Sequence, residues 1–206
     1  MAATPPQLYM VNSSIGKNES TGGVYGVSNI TSSELIPIGY GGVCARLYTS
    51  TGALSRSGSW HYNGYEVNGM GSGALDAPSS GTYYSKGQVR FYNGDGYTTY
   101  STKASPNMTQ YNSISTSASH LQTNQTGLTY GSALFSETEP DLILAEGISG
   151  NIGYVKSSDL NGPMPVSAYA AIQMQTSQSR VIPVYESDGI TVIDTFVIDA
   201  TTPIYS

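Results

Sequence analysis

Charge is scarce in this chain. Asp, Glu, Lys and Arg make up 11% of its 206 residues, against roughly a quarter in ordinary soluble domains. The eight Lys and Arg stand singly between Lys17 and Arg180, and the net charge is −6. With no basic patch to neutralise phosphates, nucleic-acid binding is disfavoured, as is attraction to an anionic membrane. Cysteine is nearly absent too. Cys44 alone rules out an intramolecular disulfide and argues against the disulfide-dense class of small secreted domains. What remains is a reducing compartment or a bacterial exported protein that does without cysteines. No run of eighteen apolar residues exists, so no helical membrane span is expected. The start, MAATPPQLYM, has neither a basic n-region nor an apolar h-region. We expect an exported chain whose signal segment is no longer attached.

Catalytic and metal-binding material is equally thin. His61 and His120 are the only histidines, and with Cys44 they make three possible ligands spread over 77 positions, poor material for a zinc site. Gly71-Ser72-Gly73 and Gly147-Ile148-Ser149-Gly150 have the wrong spacing for a nucleophile elbow. Neither a phosphate loop nor an EF-hand pattern occurs, and no solenoid or propeller period is visible. No cofactor and no metal is expected.

Tyrosine is what the chain has in excess: seventeen, against three Phe and one Trp. A phenol buries its ring while its hydroxyl reaches water or a carbonyl, so tyrosine suits half-exposed strands. A sandwich with aromatic cross-strand pairs and an extended aromatic ligand platform both fit this excess. A chain of this length buries roughly two thirds of its unfolded surface, enough for one large β domain or two small ones.

The clearest strand signal is Gly81 to Pro106, GTYYSKGQVRFYNGDGYTTYSTKASP. Aromatic and β-branched residues flank the turn-formers Asn93-Gly94-Asp95-Gly96, which reads as a β-hairpin. An earlier hairpin is predicted over residues 43–62. There Val43, Ala45 and Leu47 alternate with Cys44, Arg46 and Tyr48 ahead of the turn Thr49-Ser50-Thr51-Gly52. Upstream, Leu8 to Val11 reads as an edge strand after Pro5-Pro6, Ser13 to Thr21 as a loop, and Val24 to Ile30 as a weakly alternating strand. Ser32 to Ile36 reads as one helical turn stopped by Pro37. A short strand is expected near Tyr65-Glu66-Val67. Pro106 to Thr129 reads as either a linker or a polar strand pair, with a domain boundary near Thr126.

Beyond it, Leu142 to Glu146 and Gly153 to Lys156 are strand candidates, and Met164 to Gln175 is the one expected helix, with Pro165 in its first turn. Arg180 to Tyr185 and Ile190 to Ile198 form a hairpin about Asp188-Gly189. The fold class is therefore mainly β. Residues 1–126 are expected to form an antiparallel β-sandwich, followed by a small α+β module, residues 127–206, with one helix and a C-terminal hairpin.

Three stretches carry resemblances. Gly153-Tyr154-Val155-Lys156-Ser157-Ser158-Asp159-Leu160 is similar to the closing strand and turn of bacterial SH3 modules. IPVYESDGITVIDTFVI, with GYVKSSDLNGP, resembles a C-terminal segment of surface or exported proteins of Gram-positive bacteria. The strands around Trp60-His61-Tyr62 and Tyr83 to Tyr100 resemble the small β-sandwich of lactococcin-972-like bacteriocins. These resemblances imply an exported bacterial protein and carry over no catalytic position.

Three functions follow as expectations. The first is a non-catalytic exported protein, secreted or at the cell surface, with a binding or structural role at the cell envelope and a cell-wall glycan or an envelope protein as its partner. The second is a carbohydrate-binding module in which exposed Trp60, Tyr62, Tyr65, Tyr92 and Tyr97 stack on sugar rings, which requires coplanar rings on one face. The third is a hydrolase, using either Cys44 with His61 across a hairpin or paired carboxylates drawn from Glu66, Asp76 and Asp95. A calcium site at Asn93 to Gly96 competes with a plain turn there. The Asn-x-Ser/Thr sequons at Asn12, Asn18, Asn29, Asn107 and Asn124 follow from composition.

Overall fold

A computed structural model describes residues 7–72, 75–77, 81–105, 121–176 and 178–205. Pro5-Pro6, His120 and the 106–120 part of the proposed linker lie outside these. Among the described residues the chain is mainly β, with two short helices. In chain order the strands begin with β1 (Tyr9–Lys17), β2 (Val24–Ile36), β3 (Gly41–Cys44), β4 (Arg46–Thr49), β5 (Leu54–Gly58) and β6 (His61–Tyr62). Next come β7 (Val67–Gly71), β8 (Leu75–Ala77), β9 (Tyr83–Ser85), β10 (Gln88–Tyr92), β11 (Tyr97–Ser101), β12 (Gln122–Thr123) and β13 (Thr129–Gly131). The last group is β14 (Leu142–Glu146), β15 (Ile152–Lys156), α1 (Ser157–Asn161), α2 (Ala168–Gln173), β16 (Arg180–Tyr185), β17 (Val192–Asp199) and β18 (Ile204–Tyr205).

Three sheets form. The first runs β1-β2-β7-β18, with β8 also on β2, and the second runs β11-β10-β3-β6. Ile30, Ile36, Val67 and Met70 from the first sheet meet Val43 and Val89 from the second, and this apolar layer is the core of a sandwich. The third sheet runs β12-β13-β14-β15-β16-β17-β5-β4-β9, and an extra β14–β5 pairing closes five of its strands into a ring. Leu54, Ile143, Ala145, Val155, Ile182, Val184, Phe196 and Ile198 fill that ring.

Two hairpins behaved as their turns dictate. β10 and β11 pair around Asn93 to Gly96, with Gly94 and Gly96 at positive φ, and β16 pairs with β17 around Asp188-Gly189. β14 and β15 pair as expected. Three expectations are corrected. Ser32 to Ile36 is not a helical turn but the end of β2, because pairing with β1 and, past a register shift, with β7 outweighs a weak local helical preference. The supposed loop at Ser13 is strand as far as Lys17 for the same reason. The helix covers only Ala168–Gln173, since Ser167 accepts a hydrogen bond from the Ala170 amide and so sets the N-cap two residues past Pro165.

The boundary near Thr126 does not divide the sheets. β17 and β14 both pair in parallel with β5, and β18 returns to β7 in the first sheet. An unpaired strand edge must find a partner, and here the C-terminal strands find theirs in the N-terminal part.

The two sheets that share the 43–62 hairpin diverge at a corner. β3 and β4 are one run broken at Ala45, β5 and β6 one run broken at Ser59-Trp60, and β9 and β10 one run broken at Lys86-Gly87. Gly87 makes the corner possible. A Cβ there would overlap the Ser28 hydroxyl and the Cys44 carbonyl oxygen, and backbone cannot retreat as a flexible side chain can. Gly87→Ala is expected to destabilise the chain by at least about 1–3 kcal/mol, measured by urea unfolding. Gly64→Ala, whose Cβ would meet nothing within 4 Å, serves as the reference and should shift the midpoint little.

Candidate functional site

The second sheet has one face in the sandwich and another turned toward α2 and the α1–α2 connection. Strand alternation puts Val89 on the first and Gln88 and Arg90 on the second. Tyr62, opposite Gly42, joins that second face. A Cβ on Gly42 would press into the Tyr62 ring, so glycine is what lets Tyr62 lie flat beside Arg90. Tyr62, Tyr97 and Ala171 form a small apolar cluster here, with Trp60, Tyr92 and Ile172 packed on it.

Four of the five predicted platform residues meet in this cluster. Trp60 stacks on Tyr62 at 6.3 Å and 24°, Tyr62 meets Tyr97 at 5.3 Å and 66°, and Tyr97 meets Tyr92 at 5.5 Å and 60°. Tyr40, which the sequence did not single out, extends the series to Tyr92. The rings are packed pairwise rather than coplanar on one exposed face. Tyr62 and Tyr97 are buried, and the Tyr97 hydroxyl donates to the Gly39 carbonyl. Burial pushes both phenols up from their ordinary range. Tyr65 is elsewhere, exposed and against Tyr205.

Trp60, half-buried, stands at a cavity of about 240 Å³ that the sheet face shares with Leu160 to Pro163, Pro165, Met174 and Arg180. The Arg90 guanidinium lies over the Trp60 ring, 3.8 Å from its centroid. Arg90, Asn161 and Gly162 also line a second cavity of about 560 Å³, whose other wall includes Thr99, Glu137 and Glu139. Arg90 was not legible beforehand, because a lone arginine at an alternating strand position looks like a solvated face. It is 3% exposed.

Beside these cavities lies a buried polar network. Arg46 pairs with Glu139 and donates to Asn161 Oδ1 at 2.8 Å and Gln88 Oε1 at 3.2 Å. Gln88 Nε2 donates back to Glu139 at 2.6 Å, as do Asn161 Nδ2 at 2.6 Å and the Ser157 hydroxyl at 2.5 Å. Burial alone would raise the Glu139 carboxyl, but the Arg46 guanidinium and the donors from Ser157 and Asn161 hold it below the ordinary range. Nearby, burial lowers the Lys86 ammonium to about 8 against the opposing pull of Glu139. Its Nζ donates to the carbonyls of Ala133, Leu134 and Ser136.

The Cys44/His61 dyad does not assemble. His61 lies opposite Val43, so alternation sends the Cys44 side chain to the other face of the sheet. The Cys44 thiol donates to the Gly58 carbonyl at 3.2 Å, and His61 Nε2 shares a 2.7 Å hydrogen bond with the Thr201 hydroxyl. Glu66, Asp76 and Asp95 are exposed. Asp76 accepts from Asn18 and Thr21, and Asp95 sits in the turn where its own amide donates to Asn93 Oδ1. Among the described residues no three His, Cys, Asp or Glu cluster as metal ligands would. Comparison with protein-family models, with curated proteins and with solved structures returns no match.

Two predictions follow from these buried groups. Glu139→Gln leaves Arg46 buried without a counter-ion and should cost about 3–5 kcal/mol in urea unfolding. His61 is held neutral by burial, its pKa lowered from 6.5. The unfolded chain therefore binds the extra proton more readily, so the His61 contribution is complete above pH about 6.5 and is lost as the pH falls through that value toward the folded pKa. His61→Gln should flatten the dependence of stability on pH between about 7 and 5, followed by thermal unfolding across that range.

Proposed function

We propose that the chain is a non-catalytic, exported bacterial binding protein of the cell envelope, and that its ligand is a glycan bound at the Trp60 cavity. The observation that carries this reading is the cavity itself. An indole in contact with a guanidinium and a tyrosine lines it beside apolar side chains, and Asn161, Thr176 and Arg180 add polar groups. Such a combination of aromatic surface with a few placed polar groups is what a small-ligand site requires. Sugars suit it because their C–H faces stack on rings while their hydroxyls take hydrogen bonds. Low charge and abundant hydroxyls support the exported assignment, and a single buried cysteine is compatible with it.

A second reading has its own observation. Val166 and Tyr169 around α2 are 81% and 77% exposed, with Met164 and Met174 beside them at 44% and 42%. An apolar rim of this kind favours an envelope protein as partner.

A glycan-array screen of the purified chain beside Trp60→Ala decides between the two. Binding that the variant weakens by about tenfold or more supports the glycan site, whereas silence from the parent chain removes it in favour of the protein partner.

A further inference from the structure

Two arginines are more than nine-tenths buried among the described residues, and only one has a counter-ion. Arg46, at 1% exposure, pairs with Glu139. Arg90, at 3%, has the Tyr62 hydroxyl as its single acceptor, at 2.9 Å, and the Trp60 ring beneath it. Its Nε has no hydrogen-bond partner. Two further buried polar atoms in the walls of the same cavities, Trp60 Nε1 and Thr99 Oγ1, have none either. These are three of the six unpartnered buried side-chain polar atoms among the described residues. Their concentration at one place argues for a function there rather than for scattered imperfect packing.

The chemistry of the two at the Trp60 cavity is one-sided, whereas the Thr99 hydroxyl can donate or accept. An arginine and an indole can only donate, so a ligand beside Arg90 and Trp60 is favoured when it is rich in acceptors. Charge points the same way. The chain carries fourteen Asp and Glu against eight Lys and Arg, yet no acidic residue lines the Trp60 cavity. Arg180 instead adds a second cation at its rim, its guanidinium steadied by the carbonyls of Asp159 and Leu160. A cation-lined pocket in an acidic protein selects an anion while the surrounding surface repels nonspecific ones.

We propose that the Trp60 cavity takes an acidic sugar, a glycan unit bearing a carboxylate, with the carboxylate toward Arg90 and Arg180 and the ring against Trp60. A planar carboxylate matches a guanidinium fork. This rests on the glycan reading above.

The test is an array of uronic-acid oligosaccharides and sugars carrying a lactyl ether acid, each beside its neutral counterpart. Hits are then titrated by the fluorescence of Trp60, the chain's one tryptophan. The acidic member of a pair is expected to bind about tenfold or more tighter than the neutral one. Arg90→Met should bring the pair to within about twofold. Should Arg90→Met fail to fold, Arg180→Gln, on an exposed side chain, carries the test by weakening the acidic member about threefold more than the neutral one. Equal binding of both members, a hit list of neutral, sulfated or phosphorylated glycans, or a preference that survives both variants overturns the carboxylate proposal while the glycan reading stands. Absence of binding to any glycan overturns both.

Discussion

A guanidinium taken almost wholly out of water needs acceptors, and Arg46 finds Glu139, Gln88 and Asn161 while its Nε stays unpartnered. The network around the Arg46–Glu139 pair draws on four separate parts of the chain. Arg46 is on β4, Gln88 on β10, Glu139 in the connection before β14, and Ser157 with Asn161 on α1. Each partner is usable only if its own element is in place. The network therefore ties the second sheet to the ringed third sheet and fixes where α1 ends. Because Asn161 and Gly162 follow directly from that anchoring, the walls of both cavities inherit its geometry.

Beside it, the same sheet face presents Arg90 two residues from Gln88, and the contrast between the two arginines organises the functional reading. One is neutralised within the fold and is structural. The other rests on an indole and a phenol hydroxyl, an arrangement that keeps a cation buried and oriented without cancelling its charge. The short helix α2 contributes by covering Tyr62 and Tyr97 through Ala171, which leaves Trp60 as the aromatic surface at the cavity.

Local signals were legible wherever a turn or a strand was decided by its immediate neighbours. The glycines at 94 and 96 reach positive φ at no steric cost, and the β10–β11 turn forms where they stand. The Asp188-Gly189 turn and the β14–β15 pair are of the same kind. The aromatic cluster was partly legible, since Trp60, Tyr62, Tyr92 and Tyr97 do gather. Tyr65 was misplaced with them because closeness in sequence says nothing of which sheet a residue enters. Arg46, Arg90 and Glu139 gave no signal at all. In the stretch Gly41 to Tyr48 every residue is buried, so the alternation of apolar and polar positions, read as an inside and an outside face, described two different interiors.

By itself the sequence determined that the chain is mainly β and where several of its tight turns fall. Those properties depend on φ preferences, side-chain period and composition, all of which act over a few residues. The tertiary structure alone decided that β5 completes a ring with strands almost ninety residues or more downstream, that three strand runs turn a corner between sheets, and that one arginine found a carboxylate and another did not. Pairing of distant edges and burial of charge are set by the whole chain closing on itself, and no local pattern encodes them.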